Sequence, residues 1–253
     1  MTSKIDKAER FRRLHAPNDP LVLYNIWDAG SAKAVVRAGA KAVATGSWSM
    51  AAAQGYEDGE ELPLEDALAV VGRIVQSVEF PVSVDFEGGY ATDPDTVGQN
   101  VRRLLALGVI GLNFEDQVMN APGLYSIEDQ VKRLRAVRAA ADALGVPAFI
   151  NARTDVFLKA APDAVHAGLV DDALARAAAY AKAGADGFFV PGLTDKTLIR
   201  TICETVALPV NVMAADPAAI PDLTSLGVSR ISFGPHPYIR MTSALEHEAG
   251  ACI

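Results

Sequence analysis

The chain is expected to fold as one (β/α)8 barrel domain spanning 1–253, with a short N-terminal extension of about 20 residues. Three features predict this. An Ala-rich helical run, a Gly, a small apolar residue and a short apolar strand recur as one unit. Between the copies lie strands entered through Pro. The length of 253 residues is what eight strand–helix units fill.

In chain order, Leu21–Tyr24 is the first strand. Arg37-Ala38-Gly39-Ala40 closes the first helix and leads into the second strand at 42–44. Pro81-Val82 opens the third, and Ala106-Leu107-Gly108-Val109 precedes the fourth at 111–114. Pro147-Ala148 opens the fifth, Lys182-Ala183-Gly184-Ala185 precedes the sixth, and Pro209-Val210 opens the seventh. Ser225-Leu226-Gly227-Val228 precedes the eighth, at Arg230–Phe233. The repeated Gly suits a helix C-terminus, where positive φ is needed. Pro tolerates the first position of a strand.

The helices read as amphipathic. Leu64, Ala67, Leu68, Val71, Ile74, Val75 and Val78 follow the i, i+3, i+4 rule. Asp93-Pro94, Ser126-x-x-Asp129, Thr194-Asp195 and Asp216-Pro217 mark helix starts. An open doubly wound sheet is the competing architecture, but no Gly-x-Gly-x-x-Gly follows any strand.

Composition narrows the function classes. The net charge of −8 argues against nucleic-acid or anionic-membrane partners. Cys203 and Cys252 stand in no ligand spacing, which disfavours a zinc site or disulfide scaffold and fits a reducing cytoplasm. No apolar run approaches the roughly 20 residues a membrane span needs. No Lys lies in a strand, which disfavours a Schiff-base aldolase. No Gly-rich turn follows strands seven or eight, where barrels cradle phosphate.

In such barrels the chemistry collects at the strand C-termini. Strand three ends in Asp85-Phe86-Glu87-Gly88-Gly89-Tyr90, and strand parity places both acids on one side. Paired acids there either tie a loop or hold a hard divalent cation. Glu115, after strand four, could complete an oxygen-lined site with Asp85 and Glu87, with water filling part of the shell. Arg153, after strand five, is either a bidentate clamp for a substrate carboxylate or a structural ion-pair partner. Thr45-Gly46-Ser47 offers hydroxyls and amides to an oxyanion, or is an ordinary turn. Trp27 is either a packing residue or a substrate contact, and His236 a loop histidine or a proton carrier.

Several stretches together resemble the isocitrate lyase/phosphoenolpyruvate mutase superfamily. They are Asn25-x-Trp27-Asp28-Ala29-Gly30-Ser31-Ala32, Thr45-Gly46-Ser47 and Gly55-Tyr56-x-Asp58-Gly59, followed by Asp85-x-Glu87-x-Gly89-Tyr90, Asn113-x-Glu115-Asp116 and Asn151-x-Arg153-Thr154-Asp155. The resemblance implies a barrel enzyme that binds Mg²⁺, with Mn²⁺ as an alternative, and a small 2-oxo acid or its enolate. Asp85, Glu87 and Glu115 would hold the metal. Thr45, Gly46 and Ser47 would hold the carboxylate and enolate oxygen, and Arg153 the carboxylate. Asp58 would lie near the reacting group, and Asn211 would contact substrate.

Members that cleave isocitrate carry a Lys-Lys/Arg-Cys-Gly-His loop after strand four. Here Gln117 to Tyr125 is short and holds no Cys, His or Lys, with Asn120 as the one echo of the mutases' gating loop. The expected function is therefore a Mg²⁺-dependent lyase, by C–C cleavage or decarboxylation, on a small 2-oxo or 2-hydroxy di- or tricarboxylate. Asp58 or His236 is a candidate proton donor. The competing readings are P–C chemistry on phosphonopyruvate-like substrates and a non-catalytic 2-oxo-acid-binding barrel. A homodimer or homotetramer is expected, with exchange of a C-terminal helix left open.

Overall fold

The computed structural model describes residues 3–119, 121–161 and 164–253. Eight parallel strands alternate with helices: β1 (Leu21–Leu23), β2 (Val43–Ala44), β3 (Val82–Asp85), β4 (Gly111–Glu115), β5 (Phe149–Arg153), β6 (Gly187–Phe189), β7 (Val210–Met213) and β8 (Arg230–Ser232). From β2 to β8 each strand pairs with the next in sequence, and β1 pairs with β8. The seam between β1 and β2 is closed past the strand ends by a parallel bridge between Ile26 and Thr45. The architecture is the (β/α)8 barrel that the repeated unit predicts.

The helix signals act as expected. Asp93 caps α5 (Pro94–Ala106), Ser126 caps α6 (Ile127–Ala143) and Asp195 caps α8 (Lys196–Thr205), each side chain accepting from the first-turn backbone. Gly39, Gly108, Gly184 and Gly227 take φ of 99°, 106°, 102° and 88° just past their helices. Among the described residues no helix is long and apolar enough to cross a membrane.

Strand periodicity sorts the barrel interior into three layers. The floor is apolar: Leu21, Leu23, Ala42, Ala44, Ile110 and Phe149 cluster beneath helix α1 (Lys4–Arg13). Phe11 of that helix meets Phe149 edge-on at 5.6 Å, and His15 stacks on Phe149 at 4.0 Å. The segment anticipated as an extension is thus the plug of the barrel. Burial, and then the charge of Arg230, hold the His15 pKa down to about 3, so its imidazole is neutral at working pH.

The middle layer is polar and buried, with Ser83, Asn113, Asn151, Asn211 and Arg230. Asp85, Arg153, Phe189, Met213 and Ser232 lie above it and face a cavity of about 170 Å³ at the barrel mouth.

Candidate active site

The β3 strand ends at Asp85, which corrects the parity argument for Glu87. Glu87 stands in a turn with φ of 48°, and Tyr90 follows at 58°. Such left-handed residues without a Gly side-chain vacancy are uncommon and require support from their surroundings. Arg133, buried on α6, provides it by donating to the carbonyls of Gly88 and Ala91 while its guanidinium lies over Tyr125. The Glu87 carboxylate accepts the Glu60 N–H at 2.7 Å, and Glu60 accepts the Tyr90 N–H at 2.7 Å.

Asp85 is the centre of the mouth. Its Oδ2 accepts the Ser47 hydroxyl at 3.0 Å and the Ser47 N–H at 3.3 Å. Its Oδ1 accepts Asn113 Nδ2 at 3.2 Å. Ser47 opens α3 (Ser47–Gln54), so the positive end of that helix dipole meets the carboxylate. The Thr45 hydroxyl lies underneath and accepts the Asp85 N–H at 2.9 Å.

Arg153 reaches the same centre. Its Nε and Nη2 donate to the two oxygens of Asp155 at 2.6 and 2.9 Å. Its Nη1 lies 2.7 Å from Glu115 and 3.9 Å from Asp85. Asp155 is itself held, through its N–H, by Asp116, which Tyr180 and Arg176 hold in turn. A guanidinium has five N–H donors and these pairs occupy three, so two remain for a ligand.

Electrostatically the mouth carries too much negative charge. Burial, and then Asp58, Asp85 and Glu60, push the Glu87 pKa up to about 8. Burial pushes Glu115 well up against the pull of Arg153. Asp58, at the rim, is raised by burial and then by Asp85. Beneath them Arg230 is pulled down to about 10 by burial, opposed by Asp85.

Of the residues singled out from sequence, Asp58, Gly46, Ser47, Asp85 and Arg153 line the cavity. Thr45 is fully buried, and the Gly46 N–H donates to the Ile26 carbonyl, so neither offers the expected oxyanion donor in this arrangement. Trp27 turns away and meets Tyr238 edge-on at 5.1 Å; Trp48 lines the cavity instead. Asn211 is buried below the mouth and accepts the Ser232 hydroxyl at 3.2 Å, and His236 lies off the cavity at the start of α10 (His236–Gly250). Asn120 is outside the described residues. Glu87 and Glu115 stand behind Asp85, and among the described residues no three His, Cys, Asp or Glu side chains converge closely enough to ligate one ion directly.

Sequence reasoning gave no role to Asn25, Asn113, Asp155 or Ser232. Asn25 joins β1, β2 and β8 by donating to the Thr45 carbonyl and accepting the N–H groups of Phe233 and Gly234. Asn113 and Ser232 were signalled by polarity within strands, and Asn25 and Asp155 by polarity just past strand ends.

Comparison with known proteins agrees with this geometry. A crystal structure from Burkholderia cenocepacia J2315, provisionally named a phosphonomutase, superposes with a TM-score of 0.95 at 44% identity, covering 99% of this chain and 100% of that one. The 2-methylisocitrate lyase of Escherichia coli K12 is 28% identical over 95% of this chain and 82% of its own length. An oxaloacetate decarboxylase of Bradyrhizobium sp. is 29% identical over 74% of this chain and 62% of its own. Residues 11–253 match the phosphoenolpyruvate phosphomutase (PEP_mutase) family. The chain belongs to that family, within the isocitrate lyase/phosphoenolpyruvate mutase superfamily of lyases, mutases and hydrolases that act on small acids.

Proposed function

We propose that the chain is a Mg²⁺-dependent lyase that forms a pyruvate-like enolate from a small 2-oxo or 2-hydroxy acid, with decarboxylation of an oxaloacetate-like acid as the leading reaction. The observation that carries this is the charge imbalance at the mouth. Asp58, Asp85, Glu87, Glu115 and Asp155 surround a single cavity-lining arginine, Arg153. Without a cation such crowded acids hold protons, as Glu87 does up to about pH 8, and a divalent cation would let them ionise while offering an anionic substrate a positive centre.

The donor set fits a hard divalent ion. Asp85 would hold it, with Asp58, Glu87 and Glu115 neutralising it from further out and water completing the shell. The ion would supply stabilisation of negative charge on the substrate's 2-oxo oxygen. The two free N–H groups of Arg153 bind the substrate carboxylate and fix its plane. Leu158, Phe189, Pro191 and Met213 form the apolar wall that keeps water from the reacting carbon. In decarboxylation the C3–C4 bond breaks, CO₂ leaves, its electron pair passes to the enolate, and C3 takes a proton. Asp58, raised in pKa at the rim, is the group placed to carry that proton.

Pyruvate release from oxaloacetate, coupled to lactate dehydrogenase, tests the reading. Enzyme-dependent pyruvate should vanish in EDTA and fall by at least ~10³-fold in Asp85→Ala, as for loss of a group that fixes a charge-stabilising centre. No pyruvate above the Mg²⁺ blank would remove oxaloacetate as substrate. The 44% likeness to the Burkholderia protein favours P–C chemistry as the second reading. Phosphorus NMR with phosphonopyruvate would reveal it as loss of the P–C signal.

A further inference from the structure

Arg230 opens β8 two residues beneath Ser232 and is 1% exposed, so its guanidinium lies inside the barrel below the cavity. Among the described residues no carboxylate stands within ion-pair distance of it, and its Nε and Nη1 have no hydrogen-bond partner. Its one bond runs from Nη2 to Asn113 Oδ1, at 3.1 Å. Asn113 Oδ1 also accepts Asn151 Nδ2 at 2.9 Å, while Asn113 Nδ2 donates to Asp85 Oδ1 at 3.2 Å.

An amide can present either its oxygen or its nitrogen to a neighbour, and Asn151 can turn in the same way. A guanidinium can only donate. Donor-only Arg230 below and acceptor-only Asp85 above therefore fix the amide from both ends, with the Asn113 oxygen facing down and its NH₂ facing up. With Ser47 on Oδ2 and Asn113 on Oδ1, the Asp85 carboxylate is held by both oxygens and its plane is set. Without Arg230, Asn113 Oδ1 keeps only the Asn151 amide, which can itself turn, so the lower anchor of the amide is lost and its grip on Asp85 loosens.

We propose that Arg230 is a positioning residue that orients the Asp85 carboxylate for a divalent cation through the Asn113 amide. This rests on the reading of Asp85 as the group that holds the ion. Outer-shell partners of this kind typically change metal affinity 10–100-fold. A buried cation without a carboxylate partner also lowers fold stability, and replacing it by an apolar side chain of similar length is neutral or stabilising. Positioning and structural roles therefore predict opposite signs for thermal stability.

The test is calorimetric titration of the full chain with Mg²⁺ and Mn²⁺, with thermal melting of the ion-free protein alongside. Arg230→Met and Arg230→Gln should bind the ions about 10–100-fold more weakly, with a Tm equal to or above wild type. Arg230→Lys, still donor-only, should recover most of the affinity. Met and Gln variants that bind within about twofold of wild type would overturn the proposal. So would a Tm loss that tracks the affinity loss across all three variants, because that is the signature of a structural residue. A wild-type protein that binds neither ion would instead overturn the metal reading on which the proposal stands.

Discussion

Two arginines point into the same barrel, one layer apart, in opposite company. Arg153 at the mouth is held by Asp155 and Glu115 and lies within 3.9 Å of Asp85. Arg230 below it touches a single amide oxygen. A buried cation among carboxylates has its charge compensated, and removing it strands those carboxylates; a buried cation without any is a net burden on the fold. Ion pairing at the mouth thus ties stability to the site, whereas the layer beneath gives up stability for orientation.

The comparison is broken most forcefully at Arg153. Arg153→Met should abolish turnover and cost about 3–5 kcal/mol in urea unfolding, since it strands buried carboxylates. An unchanged stability would mean that the acids are protonated and that Arg153 compensates no charge. Asp155→Asn comes next: it keeps the shape but weakens the bidentate grip, and should cost ~2 kcal/mol. Its turnover should fall with KM rising more than kcat, because the guanidinium then wanders.

A subtler test uses pH. Glu87 holds its proton up to about pH 8 in the fold, whereas a free glutamate loses it near the ordinary value of 4.5. Between those values the folded state binds more protons than the unfolded chain, so stability falls as pH rises. Asp58, Glu60, Glu115 and Asp116 are also raised, burial first, and add to the same slope. The ion-free protein should lose roughly 5 °C of Tm between pH 5 and 8, and Mg²⁺ should restore it at pH 8. A flat profile would show that the mouth is not acid-crowded. The smallest effect is expected from Thr45→Val, which removes the acceptor of the Asp85 N–H and should cost about 1 kcal/mol.

Much of this was legible in the chain. The Gly-containing unit and the Pro-entered strands placed seven of the eight strands to within a residue or two, because helix C-termini and strand starts demand those residues locally, and Leu21–Tyr24 supplied the first. Asp85, Ser47, Arg153, Gly46 and Asp58 reached the mouth as read. Glu87 deceived because parity holds only while the chain stays extended, and the strand ends two residues before it. Trp27 and Trp48 both meet Tyr238 of helix α10 edge-on, and only Trp48 lines the cavity, which no local pattern in the chain distinguishes. Arg230 was invisible for a deeper reason. An arginine at the start of a strand reads as solvated, and only barrel closure reveals that its position points inward.

The closing seam has a mechanical meaning. Seven of the eight strand junctions are zipped by ladder bonds, whereas β1 and β2 meet at one bridge beyond their ends, clasped by the Asn25 amide. Under strain the cylinder has one hinge line, and the clasp sits on it, beside Gly46 and Ser47. The molecule is built like a cuff with its buckle at the rim. The serine that grips Asp85 thus stands beside the least-bonded seam of the wall.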